Sequence, residues 1–334
     1  MLEKPDIPDE TIIDLLRDAY HLPGVHVDFL PLGADVNTAV YRITGEDGTP
    51  YFLKLRGGVF EPLSVLIPRF LRDQGIWQVI EPLRAADGTP WSRLDDYATV
   101  LYPFIEGRNA WSVALTDTQW VEFGAAVKQI QSLCLPEDLR SRLPVETYSD
   151  VYRQQVREYL ALVERETFSD PVAARMAAFM RAHREEMEEV AGRAGALAQE
   201  LTMQPPANVL CHADLHAGNL LNTSEGDFYI VDWDNPILAP KERDLMFIGA
   251  GIGGNWNTPR EEDLFYQGYG PVAINNTALA YYRYERIVQD FAAYCQEILP
   301  TTGSSEDREQ GLRYFMSNFS PGSTIAIARQ TEEI

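Results

Sequence analysis

The sequence has few cysteines, few basic residues and no long apolar run. No stretch of about 18 apolar residues occurs, so we expect no helix that crosses a membrane. The chain turns acidic at Glu3 without a preceding apolar stretch, so we expect no signal peptide. Cys134, Cys211 and Cys295 lie far apart and show no C-x-x-C spacing. This pattern predicts reduced thiols in a cytoplasmic protein and indicates no zinc site.

Basic residues are scarce relative to acidic ones. The chain carries 28 Lys and Arg against 50 Asp and Glu, a formal net charge of −22. Because nucleic-acid binding needs a basic surface, we do not expect nucleic acid as a partner. The acidic balance is typical of a well-solvated surface, and it would also attract a cationic ligand. Charge alone does not choose between these two interpretations.

The 334 residues suit two lobes of different character. Residues 25–105 read as an antiparallel sheet with a hairpin turn at Asp47-Gly48 and one helix at about 61–74, which Pro68 is expected to kink or end. The chain after Gly107 is mostly helical, and its predicted helices cover about 116–133, 150–166, 171–200, 241–249, 261–268, 276–298 and 305–317. The prediction is an α+β fold with a nucleotide-binding β lobe at 1–106 and a helical catalytic and substrate lobe at 107–334.

The segment from His212 to Asp234 is the strongest indication of chemistry. Asp214 precedes Asn219 by five residues, and Asp232 follows Asn219 by thirteen. ATP-dependent phosphoryl transfer needs one carboxylate to orient the attacking hydroxyl, and an amide oxygen and a second carboxylate to hold magnesium. We therefore predict Asp214 as the base, His212 as a residue that holds the catalytic loop, and Asn219 and Asp232 as metal ligands.

His212-x-Asp214-x-His216 also resembles a transition-metal chelate, which would indicate a metallohydrolase. Such sites generally need further histidines, and only His21, His26 and His183 remain, none with suitable spacing. Phosphoryl transfer is the favoured interpretation.

A nucleotide needs partners for its phosphates and for its base. Lys54 lies in a predicted strand between a hairpin and a helix, the arrangement that supplies a phosphate-binding lysine, and Glu61 is its predicted carboxylate partner. Gly33 and Asn37 lie in the first hairpin turn, which could cover phosphate groups, although G-x-G-x-x-G is absent.

Adenine is expected at the joint near residues 103–107. There the Pro103 carbonyl could accept and the Ile105 N–H could donate a hydrogen bond. Leu221 and Val231 could form the floor beneath the base. Asp244, which opens a short helical segment, could accept hydrogen bonds from the catalytic loop.

These motifs resemble the aminoglycoside phosphotransferase and choline kinase superfamily, which has a bilobal protein-kinase-like fold. The resemblance rests on His212-x-Asp214-x-x-x-x-Asn219 and Asp232-Trp233-Asp234, and its element order covers nearly the whole chain. The segments at 33–37, 239–249 and 281–288 are similar to the spectinomycin phosphotransferase branch of that superfamily.

The resemblance implies ATP or GTP as phosphoryl donor and magnesium as cofactor. It also implies Asp214 as catalytic base, Asn219 and Asp232 on the metal, Lys54 on the phosphates and the 103–105 backbone on adenine. Asp-Phe-Gly is absent and no long activation segment follows Asp232, so a small acceptor fits better than a protein.

A cationic acceptor of the aminocyclitol or aminoglycoside class would suit the acidic chain. The predicted substrate contacts are Asp35, Asp234, Tyr281, Glu285 and Asp290. We expect a monomeric antibiotic-resistance kinase that acts most plausibly on spectinomycin. Two alternatives remain open: a metabolite kinase for choline, homoserine, methylthioribose or a sugar, and a nucleotide-binding regulator without transfer activity.

Overall fold

The computed structural model describes residues 4–32, 37–301 and 304–333. The chain forms two compact units, each built from several separate stretches. The β unit comprises Met1–Leu115, Cys134–Leu143 and Gly218–Pro236, and the helical unit comprises Thr116–Leu133, Pro144–Ala217 and Ile237–Ile334. The predicted lobe boundary between residues 106 and 107 stays a prediction.

The regular elements of the described residues follow one another in a fixed order. They are α1 (Asp9–Tyr20), β1 (His26–Leu30), β2 (Thr38–Thr44), β3 (Pro50–Arg56), α2 (Leu63–Asp73), β4 (Ser92–Leu94), β5 (Tyr97–Pro103), β6 (Gly107–Asn109), α3 (Asp117–Ser132), α4 (Glu137–Arg140), α5 (Val151–Arg165), α6 (Pro171–Ala182), α7 (Arg184–Met203), β7 (Asn208–Cys211), β8 (Leu220–Thr223), β9 (Phe228–Ile230), β10 (Ile237–Pro240), α8 (Glu242–Leu245), α9 (Pro259–Tyr269), α10 (Asn276–Ile298), α11 (Ser305–Ser317) and α12 (Thr324–Glu332). One-turn 3-10 helices lie at Ala217–Asn219 and Ile252–Gly254.

The β unit contains an antiparallel sheet in the order β1-β2-β3-β5-β4. The predicted turn at Asp47-Gly48 joins β2 to β3, and Gly48 has a positive φ of 82°. Alternate strand residues such as Tyr41, Leu53 and Leu101 are fully buried, because every second side chain of a strand points to the same face. Helix α1 covers this face with Ile12 and Leu16, as its amphipathic pattern predicts. A second sheet, in the order β6-β8-β9, carries the segment that leads to Asp232.

Helix α2 continues five residues beyond Pro68. A proline inside a helix removes one hydrogen bond and costs roughly 3 kcal/mol. Leu63, Ile67 and Leu71 are buried on the same helix, and their burial offsets this cost. The prediction that the helix ends at Pro68 is therefore wrong.

The helical unit is organised around α10, a helix of 23 residues that packs against α5, α7, α11 and α12. The predicted start of α3 is confirmed, because Thr116 and Gln119 form a capping box. The predicted single helix over 171–200 is wrong. Two helices, α6 and α7, meet at His183, whose ring stacks on Phe179 at 3.9 Å. Helices α4 and α12 were not predicted, and within the described part of the chain no helix is long and apolar enough to span a membrane.

Candidate active site

A buried carboxylate fixes the loop that follows β7. The backbone N–H groups of His212 and Ala213 donate hydrogen bonds to Asp244 at 3.0 and 2.8 Å. Ala213 has a φ of 74°, a left-handed conformation that costs energy in a residue with a Cβ atom. Burial raises the pKa of Asp244 even though His212 and the backbone hydrogen bonds act in the opposite direction. The predicted role of Asp244 as an acceptor for this loop is confirmed.

His212 holds the same loop from inside. Its side chain is buried, and its Nδ1 atom accepts a hydrogen bond from the backbone N–H of Asp214 at 3.3 Å. This contact orders the backbone directly at the predicted catalytic residue. Among the described residues no group of three or more His, Cys, Asp and Glu side chains could hold a metal ion, which disfavours the chelate interpretation of His212 and His216.

The Asp214 carboxylate lies between two basic side chains. Its Oδ1 atom accepts a hydrogen bond from Arg286 Nη1 at 2.6 Å, and its Oδ2 atom lies 3.5 Å from His216 Nε2. Burial alone would raise the pKa of Asp214. The His216 hydrogen bond and the Arg286 charge outweigh burial and hold this pKa well below its ordinary value. The side chain is 37% exposed, so an ionised carboxylate is accessible to a small molecule.

Arg286 on α10 is itself held in place. Its Nε atom lies 3.0 Å from Asp290 Oδ1, and its guanidinium carbon lies 5.6 Å from the centre of the Phe247 ring. The sequence did not identify Arg286 as a functional residue, because its partner Asp214 lies 72 positions away in the chain. Asp290, a predicted substrate contact, engages Arg286 and is 26% exposed. Its role toward a substrate stays a prediction.

In the β unit, Lys54 joins the two acidic residues of the Asp232-Trp233-Asp234 motif. Its Nζ atom lies 3.1 Å from Asp232 Oδ1 and 2.9 Å from Asp234 Oδ2. Arg56 Nη1 donates to the other oxygen of Asp234 at 2.9 Å. Burial lowers the pKa of Lys54, but the charges of Asp232 and Asp234 outweigh that effect and raise it. The lysine is therefore a cation at neutral pH.

Glu61 is not the partner of Lys54, and that prediction is wrong. Glu61 is exposed just before α2, and its carboxylate accepts the N–H of Leu63 at 3.3 Å. The helix begins later than predicted, so Glu61 caps its start rather than projecting from its side. The carboxylates that meet Lys54 come instead from Asp232 and Asp234.

Asn219 and Asp232 are tied together through the backbone. The Asn219 carbonyl accepts a hydrogen bond from the N–H of Val231 at 3.0 Å, next to Asp232 in the chain. Asp232 has a φ of 65°, a strained conformation of the kind found at ligand-binding positions. An amide oxygen and a carboxylate are hard donors, and magnesium prefers such oxygen ligands while keeping several waters. These two residues therefore fit the metal that the sequence predicts.

The remaining predicted nucleotide contacts belong to the β unit, and their roles stay predictions. Gly33 lies outside the described residues, and so does Asp35, a predicted substrate contact. Asn37 is exposed just before β2, and Pro103 is exposed at the end of β5. The other three, Ile105, Leu221 and Val231, are half-buried.

Three of the predicted substrate contacts are occupied by internal interactions. Glu285 is 3% exposed and pairs with Arg153 at 2.6 Å; burial raises its pKa to about 7 even beside the Arg153 charge. Tyr281 is 2% exposed and packs edge-on against Tyr148. Both lie on the buried side of α10, so neither faces a ligand. Asp234 is held by two cations, and the prediction that it contacts substrate is not supported either.

Known proteins similar to this chain include enzymes of one family. The model of a phosphotransferase enzyme family matches residues 28–283. Protein StrN of Streptomyces griseus is 25% identical over 273 residues, which span 78% of this chain and 79% of that protein.

Solved structures extend the comparison over the whole chain. A spectinomycin phosphotransferase in complex with ADP and spectinomycin has a TM-score of 0.91 and is 35% identical, with 99% of this chain and 100% of that chain covered. A choline kinase from Streptococcus pneumoniae is similar in fold alone, with a TM-score of 0.54 at 14% identity over 92% of this chain and 99% of that chain. The predicted α+β, protein-kinase-like fold is confirmed. The chain belongs to the phosphotransferase enzyme family, and it is an ATP-dependent phosphotransferase with an alcohol group as acceptor.

Proposed function

We propose that this protein transfers the γ-phosphoryl group of ATP to a hydroxyl of an aminocyclitol antibiotic, and that spectinomycin is the acceptor. The observation that carries the proposal is the 35% identity to a spectinomycin phosphotransferase over practically the whole chain. Antibiotic resistance is the biological role that follows from this chemistry.

In the proposed reaction Asp214 orients the acceptor hydroxyl and accepts its proton. Because a loose phosphoryl-transfer transition state demands little base strength, the depressed pKa of Asp214 does not conflict with this role. Arg286 and His216 fix both carboxylate oxygens, so the orientation of Asp214 is set before a substrate arrives. Pre-organisation of this kind is what a positioning mechanism requires.

The nucleotide is assigned to residues of the β unit. Lys54 would contact the phosphates, the backbone at Pro103 and Ile105 would hydrogen-bond the adenine edge, and Leu221 and Val231 would pack on its face. Asn219 and Asp232 would hold magnesium, whose positive charge neutralises the phosphates.

The charge of the chain supports a cationic acceptor. The net charge is −22, and an aminocyclitol carries protonated amines. Charge-assisted hydrogen bonds between ammonium groups and carboxylates are the strong ones. With Glu285 and Asp234 engaged internally, Asp290 and Asp35 remain the proposed carboxylate contacts for these amines.

A panel of acceptors tests the proposal. We would measure ADP release with Mg·ATP and spectinomycin, other aminoglycosides, choline, homoserine, methylthioribose or simple sugars. We expect spectinomycin to give the highest kcat/KM. Turnover of a different alcohol with none of spectinomycin would overturn the substrate assignment and favour a metabolite kinase. Nucleotide binding without turnover of any acceptor would favour a regulator.

A further inference from the structure

Asp234 connects two cations of the same strand. Lys54 and Arg56 are two residues apart on β3, so their side chains lie on the same face of the sheet. Lys54 Nζ contacts Asp234 Oδ2 and Arg56 Nη1 contacts Oδ1, both at 2.9 Å. Each oxygen of this carboxylate therefore has its own cation. The three side chains are between 16% and 23% exposed, so solvent and salt screen these pairs less than ordinary surface pairs.

Helix α2 supplies no acid to this cluster. In protein kinases a glutamate of the helix that follows the lysine-bearing strand fixes the lysine. Here the acidic residue of α2 is Asp73, which is 64% exposed in the last turn and lies 4.0 Å from Arg69. Glu61 precedes the helix, and the described residues include no ion pair between Glu61 and Lys54.

We propose that Asp234 is the positioning residue that fixes Lys54 for the nucleotide phosphates, in place of a helix glutamate. Arg56 orients Asp234 through one oxygen, and Asp234 orients Lys54 through the other. The other partner of Lys54, Asp232, is the candidate metal ligand, so Asp234 is the carboxylate that stays available to the lysine. This inference rests on the proposed role of Lys54 in the kinase reaction.

Two rival roles for Asp234 make different predictions. If Asp234 bound the acceptor, its loss would raise the KM for the acceptor. If Asp234 were a magnesium ligand, its loss would be compensated by a higher magnesium concentration. A positioning residue shows neither behaviour, because the lysine it orders acts on the transferring phosphoryl group.

The kinetic test compares Asp234→Asn with Glu61→Gln, with spectinomycin as acceptor. We expect Asp234→Asn to lower kcat by roughly tenfold or more, since small misplacements of a catalytic contact have effects of this size. The KM for spectinomycin should be unchanged, and added magnesium should not restore kcat. Glu61→Gln should match the wild type. A raised acceptor KM, rescue by magnesium, or a loss of kcat confined to Glu61→Gln would each overturn the proposal.

A measurement of stability tests the same contacts without any turnover. Double-mutant cycles in urea would compare the unfolding equilibrium constants of Asp234→Asn, Lys54→Met and Arg56→Met with those of the corresponding double variants. Groups in direct contact are coupled, so we expect each pair with Asp234 to depart from additivity by about threefold or more. The control pair, Glu61→Gln with Lys54→Met, should be additive. Additive behaviour of Asp234 with both cations would contradict the proposal.

These cycles also separate this inference from the proposed function. If spectinomycin is not an acceptor but Asp234 is coupled to both cations, the substrate assignment fails and the positioning contact stands. If Asp234→Asn does not fold, Asp234→Glu provides the same comparison, because it keeps the charge and moves it by one methylene. Unchanged kcat and additive unfolding in Asp234→Glu would then count against the proposal.

Discussion

The charge cluster of the β unit and the charge cluster of the helical unit are built in opposite ways. In the β unit two cations, Lys54 and Arg56, share two carboxylates, Asp232 and Asp234. In the helical unit one arginine, Arg286, is shared by two carboxylates, Asp214 and Asp290. Cations therefore match carboxylates in the first cluster, and carboxylates are in excess around the arginine in the second.

This difference matches the two reactants of a kinase. A cluster that contains two cations can offer them to an anionic nucleotide, while one of its carboxylates turns to a metal ion. A cluster with excess carboxylate suits an alcohol carried by a cationic molecule. In both clusters the pairing keeps the key group ionised, because the pKa of Lys54 is raised and the pKa of Asp214 is lowered.

The largest effect is expected at the centre of the helical cluster. Asp214→Asn keeps the size of the side chain but cannot accept a proton from the acceptor. We expect kcat to fall about a thousandfold, within the usual contribution of a general base. ADP affinity, measured by calorimetry, should be unchanged, because the nucleotide is assigned to the β unit. Turnover near the wild-type level would show that Asp214 is not the base.

Removal of Arg286 should have a smaller effect with a distinctive pH dependence. Arg286→Met should lower kcat roughly tenfold to a hundredfold through loss of orientation. Because Arg286 lowers the pKa of Asp214, its removal raises that pKa. The acid limb of the kcat/KM profile, where Asp214 takes up a proton, should then shift to higher pH. Arg286→Lys, which keeps the charge but not the planar fork, should shift this limb less than Arg286→Met.

An acid limb at the same pH in Arg286→Met and wild type would contradict the contact that links the two residues. Circular dichroism at each pH would verify that both proteins remain folded.

The effect of Asp290 should be weaker still, since Asp290 acts on Asp214 only through Arg286. Asp290→Asn should lower kcat less than Arg286→Met does. If Asp290 also contacts an ammonium group of the acceptor, the KM for spectinomycin should rise in this variant while the KM for ATP is unchanged. A kcat loss larger than that of Arg286→Met would require a more direct role for Asp290 than the one assigned here.

Stability should separate the buried ion pair of α10 from both clusters. Arg153→Met leaves the Glu285 carboxylate buried without its partner, which should lower the free energy of unfolding by about 3 kcal/mol. The exposed pair between Arg17 and Asp14 is a matched control, and Arg17→Met should leave the urea midpoint unchanged. An equal change in both variants would show that the burial of the Arg153 pair has no energetic consequence.

Much of the fold and the core of the site follow from local sequence signals. The Asp47-Gly48 turn and the Thr116 capping box are short-range patterns, and both appear in the structure as predicted. The acceptor role of Asp244 was also anticipated, because an acid at the start of a helix beside a catalytic motif has few other functions. Signals of this kind depend on neighbours within a few residues.

The errors arose where partners lie far apart in the chain. Glu61 was chosen for Lys54 because it is near in sequence, whereas Asp232 and Asp234 lie 178 and 180 positions away. Glu285 was chosen for its charge, but tertiary packing buries it against Arg153, 132 positions away. Arg56 could have been found, because strand alternation places it beside Lys54.

The most direct test of the central claim is the mass of the acceptor after reaction. Spectinomycin would be incubated with the protein and Mg·ATP, and the products would be separated and weighed by mass spectrometry beside an Asp214→Asn control. We predict spectinomycin that is heavier by one phosphoryl group, with one ADP formed for each molecule modified, and no such product in the control. Unmodified spectinomycin, or equal product from the Asp214→Asn variant, would contradict the account.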